Sequence, residues 1–394
     1  MNTATRQFII ENLNSDVHAL ALKKAPPKVE LPLALRQIEA RQLLRKKVPS
    51  WSENNDLLFP SHLSLEQCSS EATAQYKAYL TKGFSFADLT GGLGIDTYFI
   101  SQHFQQSDYV ETQPELCKLA QHNFGILQHK IEVHNESAED YLKHCGEKDC
   151  FYIDPARRDT KGHKTISIAD CTPNVLQLQE RLLQQAKTVI IKLSPMLDIS
   201  KALDELKCVK EIHVVSVANE CKELLFVCER NFLGEPKLFC INLMTSQPIV
   251  SFMQDEERNL PLRLAESPSN YLYEPNASLM KAGCHKTLTA QFNVQKLHKN
   301  SHLYTSSTPI PDFPGRIFRI EGWTHYNKKI KQSLLEGIDK ASITVRNFPL
   351  SAEELRKTLK IKEGDDIYLF ATTIKGEEKV IIKTKKSACQ KADL

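Results

Sequence analysis

The chain has 394 residues, enough for two or three domains, and its net charge of +3 by itself indicates no bulk partner. Its eleven cysteines include no Cys-x-x-Cys pair, so neither a zinc site nor a disulfide framework is indicated, and we expect no metal. No apolar run has the length of a membrane span, and the first residues lack the pattern of a signal peptide. We therefore expect a cytoplasmic protein with reduced thiols and no membrane partner.

The first segment, residues 1–80, is predicted to be helical. Asp16 can cap a short helix that ends before Pro26 and Pro27, residues 31–47 have apolar positions at helical spacing, and residues 64–80 form one or two further helices. Its basic residues form either a solvated helix face or a surface that contacts phosphates.

Strands and helices alternate from residue 84 to about 232, which predicts a parallel sheet covered on both faces. The predicted strands are 84–89, 108–112, 130–133, 150–154, 188–192, 211–217 and 224–229, and the predicted helices are 95–104, 114–127, 138–144, 173–185 and 199–206. Only residues 218–223 separate the last two strands, too few for a crossover helix, so these strands form an antiparallel hairpin. The predicted fold class is α/β, a Rossmann-like seven-stranded sheet whose seventh strand runs antiparallel.

The C-terminal part changes character after residue 232. Residues 233–320 are rich in Pro, Ser and Asn, and short strands and one or two helices are predicted there. From residue 321, a strand, a helix capped by Ser351 and Glu354, and two further strands predict a small α+β module. Between residues 328 and 393 there are fifteen Lys and Arg against ten Asp and Glu. The predicted domains are a helical segment (1–80), the sheet domain (81–232), a linker with a short α+β piece (233–320) and the α+β module (321–394).

Polar groups follow the first predicted strand. Asp88 precedes the loop Thr90-Gly91-Gly92-Leu93-Gly94, which opens a helix. Glycine lets a backbone approach a ligand closely, and a carboxylate beside free N–H groups suits a zwitterionic ligand tail. A dinucleotide would need a third glycine where Thr97 stands, and Asp96 would repel its phosphates. A tight turn without a ligand is the alternative.

The ends of the next strands carry further carboxylates. Glu111 ends the second strand, where it can accept both hydroxyl protons of a ribose. Glu139 and Asp140 follow the third strand, and Asp154-Pro155 ends the fourth. Glu139 and Asp140 also suit the positive start of a helix, so a purely structural role stays open.

In order and spacing, this series over residues 60–232 resembles the class I S-adenosylmethionine-dependent methyltransferases, whose seventh strand is also antiparallel. The resemblance implies S-adenosylmethionine as cofactor. It implies that Asp88 and the loop Thr90-Gly91-Gly92-Leu93-Gly94 hold its methionine end. It further implies that Glu111 holds the ribose and that Glu139 or Asp140 holds the adenine.

A narrower resemblance is carried by four segments: EQCSSEAT (66–73), DPARR (154–158), KLSPMLD (192–198) and NECKE (219–223). They are similar to bacterial methyltransferases with a THUMP-like C-terminal domain. In that family a short ferredoxin-like piece precedes the last module, which here implies such a piece at residues 275–320.

The residues after the fourth strand decide what is methylated. Methyltransferases that act on exocyclic nitrogens have Asp/Asn-Pro-Pro-aromatic here, and this chain has Asp154-Pro155-Ala156-Arg157. The acceptors for amine protons are kept, but the aromatic platform is not, although a guanidinium plane can also stack on a base. N-methylation is therefore weakened and not excluded.

A second set of residues points to ribose methylation. Lys192 closes the fifth strand and Glu220 closes the sixth, and with Lys77 or Lys82 they resemble the Lys-Asp-Lys-Glu set of RNA ribose 2′-O-methyltransferases. A lysine with a lowered pKa can take a hydroxyl proton. The alternative is an ion pair of Lys192 with Asp198 or with the aspartate of the fourth strand.

Arg157, Arg158 and Lys161 form a basic loop directly after the aspartate. This charge can meet a polyanion beside the transferred methyl group, although a flexible surface loop would have the same composition. We therefore expect a methyltransferase that acts on RNA. The roles assigned are orientation of the substrate for Asp154 and auxiliary or proton-handling roles for Lys192 and Glu220. Substrate binding is assigned to Pro155, Arg157 and Arg158.

Three alternatives stay open at this point. A nicotinamide-dependent dehydrogenase could use Glu111 on the ribose, although the position of Thr97 and the terminal hairpin argue against it. An RNA-binding protein could keep a cofactor pocket without turnover. A methyltransferase of a protein or a small molecule would also fit, since no set of base-reading residues can be named.

Overall fold

The computed structural model describes residues 1–60, 62–157, 167–327 and 330–387. The chain forms two compact units, Met1–Lys210 with Leu224–Gly234, and Glu211–Glu223 with Glu235–Leu394. None of the helices in the described ranges combines the length and the apolarity that a membrane crossing requires.

The first unit begins with the predicted helical segment. Its helices are α1 (Thr3–Glu11), α2 (Val17–Ala21), α3 (Leu31–Lys47), α4 (Pro49–Ser52), α5 (His62–Gln67) and α6 (Glu71–Ala78). The side chains of Asn2, Asp16 and Ser70 cap α1, α2 and α6 by accepting a backbone N–H bond. Trp51 of α4 belongs to one buried cluster with Tyr109 from the sheet that follows. These helices therefore share a core with the sheet.

The sheet of the first unit consists of buried strands whose carboxyl ends meet at one edge. The strands up to the hairpin are β1 (Ser85–Asp88), β2 (Gln106–Val110), β3 (Glu132–His134), β4 (Lys148–Ile153), β5 (Ala156–Arg157), β6 (Cys171–Thr172), β7 (Ala186–Leu193), β8 (Val209–Val217) and β9 (Glu220–Glu229). Within this unit the order is β9-β7-β4-β1-β2-β3. All neighbours are parallel except β9, which is antiparallel to β7. This is the predicted α/β arrangement.

Helices cover the sheet in the connections between its strands. They are α7 (Ile95–Ser101), α8 (Pro114–Ile126), α9 (Ala138–Tyr141), α10 (Val175–Gln185) and α11 (Ile199–Glu205), with a short 3-10 helix at Ile168–Asp170. The central strands are buried on both faces, as the apolar run Cys150 to Ile153 shows. The two-stranded pair β5–β6 lies apart from the main sheet.

The hairpin predicted for the last two strands is confirmed. Ala218 and Asn219 connect β8 to β9 with φ angles of 47° and 67°, the left-handed pair that two-residue hairpin turns require. At the far end of the hairpin, the N–H of Glu229 donates to the carbonyl of Cys208 at 3.0 Å.

Two strands of the second unit lie in residues 233–320, where the sequence predicts short strands without giving their bounds. β10 (Lys237–Leu243) pairs in parallel with Glu211–Val217, the part of β8 that belongs to the second unit, and β11 (Val250–Met253) pairs antiparallel with β10. Leu238, Cys240 and Ile241 are buried. The pairing with β8 is not predicted, because two short apolar runs in a Pro- and Ser-rich region do not show which strand they extend.

The remainder of the second unit is built on a seven-stranded sheet of order β13-β14-β12-β15-β18-β17-β16. Its strands are β12 (Tyr271–Pro275), β13 (Gln295–Lys296), β14 (Tyr304–Ser306), β15 (Gly315–His325), β16 (Ser342–Arg346), β17 (Tyr368–Thr373) and β18 (Lys379–Lys386). Its helices are α12 (Gln254–Asn259), α13 (Ala277–Ala282), α14 (His285–Gln291), α15 (Ile330–Ser333) and α16 (Ala352–Leu359). The buried Glu274 binds Arg316 of β15 and Arg346 of β16. The predicted boundaries at 80, 232 and 320 stay predictions.

Candidate functional site

The glycine loop after β1 is shaped by the next strand. A Cβ at Gly91 would lie 2.2 Å from the ring of Tyr109, and the Tyr109 hydroxyl donates to the Gly92 carbonyl at 2.6 Å. Gly92 and Gly94 have φ angles of 53° and 83°, which side chains with a Cβ rarely adopt. From the sequence, the glycine at position 91 is predicted to allow close approach of a ligand. In the structure, the Tyr109 ring occupies the space that a side chain at this position would need.

The loop N–H groups also differ from the expectation of free donors. Gly91 donates to the carbonyl of Val110 at 2.9 Å, and Gly94 donates to the carbonyl of Gly91 at 2.8 Å. Gly92 donates to Oε2 of Glu111 at 3.0 Å. The N–H groups of all three glycines are therefore already hydrogen-bonded to other protein groups. What they offer a ligand is close backbone approach rather than free donors.

Asp88 lies beneath this loop and is buried. Its Oδ1 accepts the N–H of Thr90 at 2.9 Å, and its Oδ2 accepts the hydroxyl of Thr97 at 2.6 Å. Burial raises the pKa of Asp88 from 3.8 to about 7, against the lowering effect of these two hydrogen bonds. Thr97, which stands where a dinucleotide site would have its third glycine, is thus part of the support for Asp88.

Glu111 follows β2 at the same edge of the sheet. Besides the bond from Gly92, its carboxylate accepts the N–H of Gln113 at 2.9 Å. The carboxylate is therefore fixed between the loop and the start of α8.

The two acidic residues at the start of α9 have different surroundings. Ser137 caps α9, and its hydroxyl donates to Oδ2 of Asp140 at 2.8 Å. The other oxygen of Asp140 lies 2.6 Å from Nζ of Lys143. Glu139 is exposed on the cavity side, so it is the one of the two that faces the space described next.

These residues border a cavity of about 420 Å³ at the carboxyl edge of the sheet. Its wall includes Asp88, the loop from Thr90 to Gly94, Glu111 and Glu139, together with Asp154. A volume in this range accommodates a small-molecule ligand. Gln67, Cys68 and Ser69, which precede the first strand, supply a further wall.

The far rim of the cavity carries an ion pair. Nζ of Lys192, near the end of β7, lies 2.5 Å from Oδ2 of Asp154, which follows β4. The N–H of Asp154 donates to the hydroxyl of Thr90 at 2.7 Å, which ties this residue to the glycine loop. The ion pair of Lys192 with the aspartate of the fourth strand, which the sequence left open as the alternative to proton handling, is therefore present. It lies on the rim of the cavity.

Comparison with known proteins decides the family. Models of a ferredoxin-like domain and of a THUMP domain-like module match residues 271–314 and 315–386. The crystal structure of a Porphyromonas gingivalis W83 protein, provisionally assigned as a methyltransferase, matches with a TM-score of 0.88 and 34% identity over 98% of each chain. This chain belongs to the class I S-adenosylmethionine-dependent methyltransferases with a THUMP-like C-terminal domain.

Other solved structures resemble only part of this methyltransferase. The Escherichia coli protein yhhF, provisionally assigned as a methyltransferase, is 17% identical with a TM-score of 0.31, covering 40% of this chain and 84% of its own. TrmK of M. capricolum, solved with S-adenosylhomocysteine, is 12% identical with a TM-score of 0.32, covering 40% of this chain and 68% of its own. The family assignment does not rest on these two structures, because their similarity to this chain is low. No curated protein matches the sequence.

The cofactor of this methyltransferase family is S-adenosylmethionine, and the cavity fits it. The cofactor presents an ammonium, a carboxylate and a sulfonium, a ribose diol and an adenine. The cavity provides carboxylates at successive strand ends and a glycine backbone that allows close approach. Among the lining residues that the structure describes there is no arginine or lysine, so this acidic wall suits a ligand with cationic groups better than a pyrophosphate.

The sequence does not predict a contact network beside the cavity that is formed by Ser69, Lys77, Asp96 and Tyr152. Ser69 lies before α6 and contacts Lys192, with its Oγ 3.3 Å from Nζ. The same Oγ contacts Lys77 of α6 and Asp96 of α7, at 3.0 and 2.6 Å. The hydroxyl of Tyr152 donates to Asp96 at 2.9 Å. Lys77 appeared in the sequence analysis only as one of two candidate upstream lysines, and Lys82, the other, is exposed.

The predicted substrate-binding residues are only partly described. Pro155 is buried and is not among the cavity-lining residues of the described ranges. The backbone of Arg157 pairs with Cys171 in the β5–β6 ladder. Arg158 and the rest of the predicted basic loop lie outside the described residues.

Glu220 begins β9 rather than ending the sixth strand, and it belongs to the second compact unit. Its side chain is exposed, and one carboxylate oxygen lies 2.6 Å from Nζ of Lys222. The predicted sixth strand ends at residue 217, as β8 does, but the turn has only the two residues Ala218 and Asn219 instead of the predicted 218–223. Glu220 therefore falls in the next strand. The role of Glu220 in proton handling stays a prediction.

Proposed function

We propose that this methyltransferase transfers the methyl group of S-adenosylmethionine to RNA, to a base nitrogen or to a ribose 2′-hydroxyl. The pair Asp154–Lys192 on the cavity rim carries the proposal, with 2.5 Å between carboxylate and ammonium. A carboxylate fixed beside an ammonium can hold an acceptor N–H or O–H and receive its proton. Both candidate acceptor atoms therefore remain compatible with this pair.

The cofactor contacts follow the strand ends. We assign the methionine end to the glycine loop with Asp88 beneath it, and the ribose to Glu111. We assign the adenine edge to Glu139, because the carboxylate of Asp140 is occupied by Ser137 and Lys143. Asp88 acts mainly by holding the loop, since both of its oxygens already accept hydrogen bonds.

The chain's own residues supply orientation and a destination for the proton. S-adenosylmethionine, when bound, supplies an electrophilic methyl group for in-line displacement. Asp154 accepts a hydrogen bond from the acceptor and takes the proton that the acceptor loses as its new bond to carbon forms. Lys192 fixes the carboxylate on the rim. Positioning of this kind removes much of the entropic barrier of a bimolecular transfer.

RNA as the substrate is supported by charge and by the C-terminal domain. Between residues 328 and 393, fifteen Lys and Arg stand against ten Asp and Glu. The THUMP domain-like match covers residues 315–386. Arg157 and Arg158 directly follow the fourth strand and Asp154 in the sequence, where they would meet a phosphate or stack on a base. A cytoplasmic location and independence from metal stay predictions.

The test is methyl transfer from radiolabelled S-adenosylmethionine into RNA isolated from cells that lack this protein, followed by nucleoside analysis. We expect label in a single nucleoside, and its position distinguishes a base nitrogen from the 2′-oxygen. The control variant is Asp149→Asn, since Asp149 forms the same kind of pair with Lys187 at the opposite end of β4. Binding of S-adenosylhomocysteine without transfer to any RNA fraction would favour an RNA-binding role without turnover. Label in protein or small molecules would reassign the substrate.

A further inference from the structure

A single hydroxyl connects the rim pair to a second, buried ion pair. Ser69 donates to Oδ2 of Asp96 at 2.6 Å and lies 3.0 Å from Nζ of Lys77 and 3.3 Å from Nζ of Lys192. A serine hydroxyl has one donor and two acceptor sites, so these three contacts use its full capacity. Lys192 therefore contacts Asp154 on one side and, through Ser69, the buried pair on the other.

The buried pair consists of Lys77 and Asp96. Nζ of Lys77 lies 3.0 Å from Oδ1 of Asp96, and the Lys77 side chain has no exposed surface. Burial raises the pKa of Asp96, but the ammonium groups of Lys77 and Lys192 and the hydrogen bond from Ser69 outweigh it, so the pKa lies below its usual value. Removing one partner of such a pair leaves an uncompensated buried charge.

The charges around Lys192 come from several elements. Asp154 follows β4, Asp96 lies on α7 and Lys77 lies on α6. Cys68 precedes α6, and burial raises the pKa of its thiol while Lys47 and Lys192 lower it. Asp88 at the end of β1 lies close enough to Asp96 and Asp154 for their charges to raise its pKa. Removal of either charge of the buried pair therefore changes the field at the rim.

We propose that Lys77 and Asp96 are positioning residues that act through Ser69 on Lys192 and set the pH dependence of methyl transfer. The inference rests on the proposed function, since it gives the rim pair Asp154–Lys192 the task of receiving the acceptor's proton. Lys77 is not among the described residues that line the cavity, whereas Asp96 is, so affinity for S-adenosylhomocysteine is measured in each variant to separate a direct contact from an effect through Ser69. Their opposite charges act on the rim pair in opposite directions.

The experiment compares Lys77→Met, Asp96→Asn and the double variant, all close in shape to the natural residues. Loss of the negative charge in Asp96→Asn moves the pH profile of kcat to lower pH, and loss of the positive charge in Lys77→Met moves it to higher pH. Each displacement is about one pH unit, the scale for a charge within a few ångströms. The double variant returns close to the natural profile, because the two changes cancel.

A second readout needs no turnover. The titration of the rim pair is followed by the ¹³C resonances of labelled aspartate and lysine side chains, assigned with Asp154→Asn and Lys192→Met. The same opposite displacements are expected. If wild type transfers no methyl group, the proposed function fails, while this titration still decides the coupling.

The control is the pair Lys148–Asp108, whose side chains are each 12% exposed and which joins β4 to β2; neither residue is among the cavity-lining residues of the described ranges. Lys148→Met and Asp108→Asn, each made singly, should leave the pH profile unmoved. Overlapping profiles and titrations in wild type and both single variants of the buried pair, with transfer lost only in proportion to the unfolded fraction, would overturn the inference. Each single variant decides by itself, because each has an expected displacement of stated direction, and the double variant tests whether the two displacements cancel.

Discussion

Strands β4 and β7 are joined by two aspartate–lysine pairs, one at each end. At the amino ends, Lys187 lies 2.6 Å from Asp149, and at the carboxyl ends, Lys192 lies 2.5 Å from Asp154. Residue types, strands and spacing are the same. The pairs differ only in what surrounds them.

At the amino end, Asp149 also accepts the N–H groups of Phe84 and Ser85, at 2.7 and 3.0 Å, and the side chain of Lys187 is 74% exposed. This pair holds the chain where it enters β1. At the carboxyl end, the side chain of Lys192 is 14% exposed and contacts Ser69 beside the cavity. The same pair thus serves structure at one end and, we propose, chemistry at the other.

Substitution of the two aspartates breaks this comparison most directly. We expect Asp154→Asn to reduce methyl transfer by a factor of about 10² to 10⁴, the usual contribution of a proton-handling group, with affinity for S-adenosylhomocysteine near normal. Asp149→Asn should retain transfer. The measurements are labelled methyl incorporation and titration calorimetry. Equal loss of affinity and transfer in Asp154→Asn would show that the role assigned to Asp154 is wrong.

The variant Glu111→Ala tests cofactor binding at the carboxyl edge separately from the chemistry of the rim pair. Its carboxylate binds Gly92 and Gln113, so its loss strands hydrogen-bond partners and should weaken S-adenosylhomocysteine binding by about 1–3 kcal/mol. Calorimetry measures the change. An affinity equal to that of wild type would remove Glu111 from the ribose.

The amino-end pair should affect stability instead. Asp149→Asn is expected to lower the free energy of unfolding by about 1.5–3 kcal/mol, the scale for hydrogen bonds to a charged group. The bonds from Lys187 and Ser85 lower the pKa of Asp149 from 3.8 to about 2. Its stabilisation is therefore complete above the unfolded-state pKa and disappears as the pH falls through about 2. Urea unfolding at several pH values measures this, and a difference that persists below pH 2 would contradict it.

A second effect on stability concerns Asp88, whose pKa is raised from 3.8 to about 7 by burial. The folded state keeps a proton that the unfolded state loses, so this group's stabilisation is lost as the pH rises from about 4 to about 7. Asp88→Asn carries no such charge. The variant should gain stability relative to wild type over that range and keep a constant difference above it. Parallel unfolding curves at pH 5 and pH 8 would argue against a raised pKa.

Much of this site is readable from the sequence because it lies at strand ends. Asp88, Glu111 and Asp154 each follow an apolar run, and parallel strands bring such positions to one edge. The glycine loop could be predicted for the same reason, although Gly91 leaves room for the ring of Tyr109 and not for a ligand. The local sequence pattern could not show that the N–H groups of its glycines are already hydrogen-bonded within the protein.

The rest depends on contacts between distant segments. Asp96 was interpreted only as a charge that would repel phosphate. Its partners Ser69, just before α6, and Lys77, on α6, come from a segment whose packing no periodicity reveals. The bounds of β10 and β11 and the pairing of β10 with β8 were not predicted, because short apolar runs do not show which strand they extend. Glu220 was assigned to the end of the sixth strand, whereas a two-residue turn places it in the next strand.

The cavity is lined both by the N-terminal helical segment, through Gln67, Cys68 and Ser69, and by the strand ends of the sheet. Ligand binding and helix docking are therefore thermodynamically linked, and each must favour the other by the same free energy. Saturation with S-adenosylhomocysteine should slow proteolytic cutting between α5 and α6. A chain shortened to begin at residue 81 would retain the glycine loop and yet bind the nucleoside weakly.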